Sequence, residues 1–173
     1  MKIKLAKSMI ENEAGTNHML IEIPASLSNA SAEIAISLPN GMFRSKNENG
    51  FYENEFGTIF IDNTSEKLQL LIEIFTEEPM PCEKEKVVVD LTYKDKQGRE
   101  TCINQSVSML IVNEDKMDEL VVDYEVIDLV KKFLTGEMMT EEDEDSGFVN
   151  IRPKILQINN QLSELEKKYR IDF

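Results

Sequence analysis

The 173-residue sequence predicts a mainly β fold with an α-helical C-terminal extension. The expected form is an immunoglobulin-like antiparallel β-sandwich of about seven strands over residues 1–112, followed by a two-helix hairpin over residues 113–173. Three observations carry this. Residues 84–112 hold two runs of period-2 alternation around a polar turn with Gly98, the clearest hairpin signal in the chain. Shorter alternating runs precede it at regular spacing, each closed by Pro, Gly or Asn. After Val112 the apolar period changes from two residues to three and four.

The first expected strand covers residues 2–10, where Ile3 and Leu5 alternate with Lys2 and Lys4. Met19, Ile21 and Ile23 mark a second, ended by Pro24, which cannot donate to a ladder. Ile34, Ile36 and Leu38 mark a third, stopped by Pro39, Asn40 and Gly41. Residues 42–57 then loosen into an irregular stretch rich in Asn, Glu and Gly, with Phe43, Phe51, Tyr52 and Phe56 interleaved. These aromatics read either as an exposed recognition surface or as anchors pinning a large loop to the sandwich edge, and the second reading is favoured because ordered loops need apolar anchors.

Ile59 and Ile61 make a short fourth strand. Leu68, Leu70, Ile72 and Ile74 line the inner face of a fifth, while Leu71 and Phe75 on its other face require a cover that the C-terminal tail can supply. In the hairpin, Val87, Val89, Leu91 and Tyr93 share a face with Ile103, Val107, Met109 and Ile111. Asn113 or Asp115 then caps a helix carrying Leu120, Tyr124, Val126, Ile127, Val130, Phe133 and Leu134, and Gly136 ends it. Residues 137–147 form an acidic connection. Beyond it, Ile151, Ile155, Ile158, Leu162, Leu165 and Tyr169 recur in steps of four and three, a heptad seam whose first turn accommodates Pro153. Residues 114–145 hold thirteen acidic side chains against three lysines, and residues 146–173 hold three against five basic ones, so the two halves of the tail are complementary in charge.

Composition excludes several function classes. A formal charge of −14 repels nucleic acid and anionic membrane surfaces, and no basic patch offsets it. No apolar run reaches the length of a membrane span, and the alternating N-terminus lacks a signal peptide's apolar core. A cytoplasmic location is therefore expected. Cys82 and Cys102 lie too far apart along the strands for a disulfide, and free thiols suit a reducing compartment. With His18 as the single histidine, they cannot complete a zinc site, and His18 itself reads as an ordinary polar residue near a strand start.

No motif points to catalysis. An acidic run after Thr140 matches a calcium loop poorly: with Gly147 as the invariant glycine, Glu142, Glu144 and Ser146 take the ligand positions and Pro153 stands in place of the bidentate Glu. There is no Gly-x-Ser-x-Gly and no Gly-rich phosphate loop, and 33 acidic residues make paired carboxylates uninformative. No metal and no cofactor is expected.

The succession of LPNGM at residues 38–42, LQLLIEIF at 68–75, the hairpin at 87–112 and EVIDLVKKFLTGE at 125–137 resembles the accessory region that follows the metal-binding domain in some bacterial von Willebrand factor A proteins. The likeness covers residues 34–137 as a pattern. The Asp-x-Ser-x-Ser metal signature is absent, so no functional residue transfers, and what the resemblance implies is a scaffold or interaction role.

Two functions from different classes follow. The first is a non-enzymatic module that binds a protein partner or a second copy of itself through the tail seam at Ile155, Ile158, Leu162, Leu165 and Tyr169, with an exposed edge strand as a further surface. Intramolecular packing onto Leu71, Phe75 and the first helix is the structural alternative for that seam. The second is a small-molecule-binding or enzymatic sandwich with a site under the loop of Phe43, Arg44, Phe51, Tyr52 and Phe56, where Arg44 and Glu55 would be the convergent polar groups.

Overall fold

A computed structural model describes residues 1–23, 31–61, 68–94 and 98–135. The expected second helix, the acidic connection 137–147 and the seam from Ile151 to Tyr169 lie outside the described residues.

Two sheets face each other across an apolar core. Along the chain run β1 (Lys2–Leu5), β2 (Met9–Glu11), β3 (Thr16–Ile23), β4 (Ala32–Ser37), β5 (Met42–Arg44), β6 (Ile59–Ile61), β7 (Leu68–Thr76), β8 (Lys84–Lys94) and β9 (Glu100–Val112). A 3-10 turn, Glu114–Glu119, and helix α1, Tyr124–Thr135, follow. The first sheet has the order β1-β3-β7-β5 and the second β2-β9-β8-β4-β6. Nine strands among the described residues replace the seven expected, because β2 and β5 are three-residue pieces too short for periodicity to separate.

The central hairpin forms as expected. Val87 pairs with Val107 and Leu91 with Ile103, and Cys102 sits opposite Thr92. Val87, Val89, Leu91, Met109 and Ile111 join Ile21, Ile34, Leu70, Ile72 and Ile74 in one continuous core. β7 is covered on both sides, since Leu71 lies with Ala6, Leu20 and Val126 in a second apolar cluster under α1. The cover that the sequence demands for Leu71 is therefore this helix, through Val126 and the half-buried Ile127, Leu129, Val130 and Phe133. Phe75 instead stacks on Phe43, with ring centroids 5.9 Å apart.

Two expected elements are corrected. Residues 2–10 do not form one strand: β1 pairs with β3 in the first sheet, whereas β2 crosses to the second and runs parallel to β9, so the sandwich is not wholly antiparallel. The crossing is held by Asn17, which is buried. Its Oδ1 accepts the N–H of Lys7 at 3.0 Å and of His18 at 2.8 Å, and its Nδ2 donates to the Lys7 carbonyl at 2.8 Å. One amide thus replaces the ladder bonds that Lys7 gives up between sheets.

The helix also starts later than the capping signals at Asn113 and Asp115 suggest. Asn113 makes no side-chain cap, and the β-branched Val121 and Val122 stay extended, with Val122 bridging to Lys7. The working cap is Asp123, whose Oδ1 accepts the N–H of Glu125 at 3.0 Å and of Val126 at 3.4 Å while its own N–H donates to the Ala6 carbonyl at 2.9 Å. Lys4 pairs with Glu125, and that hydrogen bond is the main cause holding the Lys4 ammonium above its ordinary pKa. Tyr124 and Leu134, expected on the packed stripe, are 74% and 75% exposed.

Candidate functional site

The loop between β5 and β6 is built by polar groups. Arg44, at the end of β5, donates from Nη2 to Glu53 Oε1 at 2.8 Å and to the Gly57 carbonyl at 2.6 Å, and from Nη1 to the Ser45 carbonyl at 3.0 Å. Glu53 Oε2 in turn accepts the backbone and side-chain N–H groups of Asn47, each at 3.2 Å. Burial pushes the Glu53 carboxyl up, but the hydrogen bonds from Arg44 and Asn47 and the guanidinium charge outweigh it and hold the group below its ordinary range. Gly57 is required beside this pair: its φ is +77°, and a Cβ there would stand 2.8 Å from Arg44 Nη2.

Asn49 closes the neighbouring strand edge. Its Nδ2 donates to the Gln69 carbonyl at 3.0 Å and its Oδ1 accepts the Leu71 N–H at 2.9 Å, so one side chain satisfies β7 where no described strand lies beside it. Asn54 organises the following turn by accepting the N–H groups of Phe56 at 3.0 Å and Thr58 at 2.9 Å.

Against this frame the aromatics divide. Phe51 is half-buried against the core and anchors the loop as expected. Phe43 and Tyr52, 46% and 71% exposed, each keep one face on a strand ring, Phe75 and Phe60, whereas Phe56 is 84% exposed. Tyr52 leans on Phe60 with ring centroids 5.6 Å apart. Arg44 is engaged by Glu53 and not by Glu55, which is exposed. A shallow crevice of about 10 Å³ opens between α1 and the first sheet, lined by Leu20, Asn49, Gln69, Leu71, Leu129 and Phe133. That is far below the roughly 300–1,000 Å³ typical of ligand pockets. None of Phe43, Arg44, Phe51, Tyr52 and Phe56 lines it. Glu53, Asn47 and Asn49 escape a reading by motif; the Asn-rich composition of residues 45–58 is the signal that marks side chains doing backbone work.

The second sheet carries a different surface. β9 pairs with β8 along its length, but β2 covers its other side only at Leu110, Ile111 and Val112. Among the described residues no strand pairs with that side over residues 100–109. The direction of its free groups follows from the ladder. Leu110 donates to Ser8 on the β2 side and Ile111 to Glu83 on the β8 side, so with period 2 the N–H and C=O groups of Glu100, Cys102, Asn104, Ser106 and Ser108 point outward.

The other strand edges are short or closed. β1, β2, β5 and β6 have three or four residues each, β1 carries Lys2 and Lys4, and β6 is flanked by a bridge to Glu53. Such lengths and lysines blunt an edge. β9 has neither, for no charged residue lies between Thr101 and Val112 in a chain that is 30% charged.

Both cysteines are free and exposed, with the Cys82 thiol donating to Asn113 Oδ1 at 3.0 Å. Among the described residues no group of three or more His, Cys, Asp or Glu side chains is placed to hold a metal ion, and no helix is long and apolar enough to cross a membrane.

No family model and no curated protein matches this chain. Among solved structures it is similar to BcpA, the major pilin subunit of Bacillus cereus, at 10% identity and a TM-score of 0.46, over 64% of this chain and 41% of that one. It is also similar to self-complemented MyfA, the major subunit of Myf fimbriae from Yersinia enterocolitica, at 5% identity and a TM-score of 0.38, over 64% of this chain and 98% of that one. A third is the Salmonella enterica SafA pilin in complex with the SafB chaperone, at 11% identity and a TM-score of 0.37, over 66% and 55%. The chain spans less than half the length of the Bacillus cereus pilin.

Proposed function

We propose that this protein is a non-enzymatic interaction module that binds protein by adding a strand to the open side of β9. The observation that supports this reading is the ten-residue edge over residues 100–109, uncharged beyond Glu100, with its outward backbone groups unpaired by any described strand. An edge of this kind is a template for main-chain hydrogen bonding, which supplies affinity, while alternate side chains supply selectivity. Ile103 and Val107, half-buried on the core-facing side, would gain cover from an added strand. The scaffold role implied by the von Willebrand factor A resemblance agrees with this reading.

The test uses Ser106→Pro. Proline here removes an outward N–H and leaves the bonds to β8 in place, so the hairpin stays and the edge is blocked. A binding partner captured by the wild-type chain should be lost with this variant, and its complex should slow amide exchange at Cys102, Asn104, Ser106 and Ser108. Capture that survives Ser106→Pro, with those amides still exchanging freely, would move the interaction to another surface.

A further inference from the structure

Resting on that reading, we infer that the strand added to β9 is β9 of a second copy of this chain, antiparallel about a two-fold axis at Ile103. Two constraints set the register such a pair takes, and a third, the charge pattern, admits a copy. The first is parity. Even-numbered residues of β9 direct their backbone groups outward, so an antiparallel copy must pair even with even, leaving odd residues as the closely spaced pairs that exchange no hydrogen bonds.

The second is space. β2 fills the lane beside β9 from Leu110 onward, and a copy brings Arg99 and Gly98, which precede its own β9, along that same lane. A register centred on Gln105 would set the copy's Glu100 opposite Leu110, where Met9 already sits. Centred on Asn104, Gly98 would fall level with Leu110, again against Met9; centred on Ile103, the copy's Glu100 lies opposite Ser106 and Gly98 level with Ser108, which makes this the longest ladder that clears β2.

The third is chemistry. In this register Ile103 meets its own symmetry mate on the core-facing side, Thr101 meets Gln105, Cys102 meets Asn104 and Glu100 meets Ser106, so no like charges face each other. That matters in a chain with a net charge of −14, in which most surfaces would repel a copy of themselves. Self-pairing is isologous and closes at two, because each edge is consumed by the other.

Ser106 reads the register directly, since it is exposed and faces Glu100 of the copy twice by symmetry. Sedimentation of the purified full chain at several concentrations should show a monomer–dimer equilibrium. Ser106→Lys should tighten it, and Ser106→Glu should weaken it, each by roughly tenfold, as expected for two cross-strand charge pairs. In a background with Cys82→Ser and Cys102→Ser, Ile103→Cys should form an intermolecular disulfide, because a closely spaced pair places the Cα atoms within disulfide range.

A chain that sediments as a monomer at every concentration overturns the inference, as does a dimer indifferent to both charges at position 106. If the monomer still captures another protein in a manner abolished by Ser106→Pro, strand addition stands and the occupant is a different chain. If neither dimer nor edge-dependent capture is found, both readings fall.

Discussion

At the level of single residues, this fold is finished by a few amide and carboxylate side chains that replace missing backbone partners. Asn17 serves Lys7 at the crossing between sheets, Asn49 serves the edge of β7, and Glu53 serves Arg44 and Asn47 together. Removing such a group leaves its partners buried and unsatisfied, a cost that apolar replacement does not recover. Asn17→Leu should therefore lower unfolding stability by about 3 kcal/mol despite its similar branched shape, measured by denaturant titration. Glu53→Ala should cost about 3 kcal/mol, because it strands the guanidinium of Arg44 in a nearly closed site where both side chains are about one-tenth exposed.

The Glu53 carboxyl also has a pH signature. Its folded pKa lies below the ordinary value, so its contribution is complete above the usual glutamate range and disappears as pH falls through that range and the lowered folded pKa. Stability measured against pH should fall less steeply across that acidic interval in Glu53→Gln than in the wild type, and an unchanged slope would remove Glu53 from the acid response.

Among the elements, α1 shows how sequence and packing agree. β7 has apolar residues on both faces, and α1 brings Val126 onto Leu20 and Leu71. Val126→Asp should undock the helix, lowering stability by about 3 kcal/mol with loss of helical circular dichroism while the β signal persists, since the main core does not include Val126. The double-faced pattern of β7, the pairing of β8 with β9 and the alternation of β3 are all legible because they depend on local alternation. The split of the first strand leaves a weaker trace, a change of phase from Ile3 and Leu5 to the fully buried Ile10. The extended Leu120–Asp123 stretch and the Asn49 plug are long-range features, and periodicity carries no information about them. The same holds for the candidate surface. Alternation locates β9, but only the topology shows that β2 covers three residues of its outer side.

For the whole molecule the governing quantity is charge. At −14, two copies approaching each other experience a repulsion that extends beyond their contact, whereas the edge joining them carries no charge from Thr101 to Val112. The attractive part of the association, main-chain bonding and the meeting of Ile103 with its mate, is short-ranged and insensitive to salt. The repulsive part is screened over about 10 Å at 0.1 M ionic strength and about 3 Å at 1 M. Raising sodium chloride should therefore strengthen dimerisation, the reverse of what ion-paired interfaces show, and the dependence should steepen at low salt, where screening is weakest. Ser106→Lys adds a direct attraction to Glu100 of the other copy and should flatten this trend, because added salt then weakens one contribution while relieving the other. Sedimentation equilibrium of the wild type and the variant across ionic strengths separates the two contributions. A wild-type dimer that dissociates as salt rises would mean that opposite charges hold it, and the uncharged edge of β9 could not then be the joint.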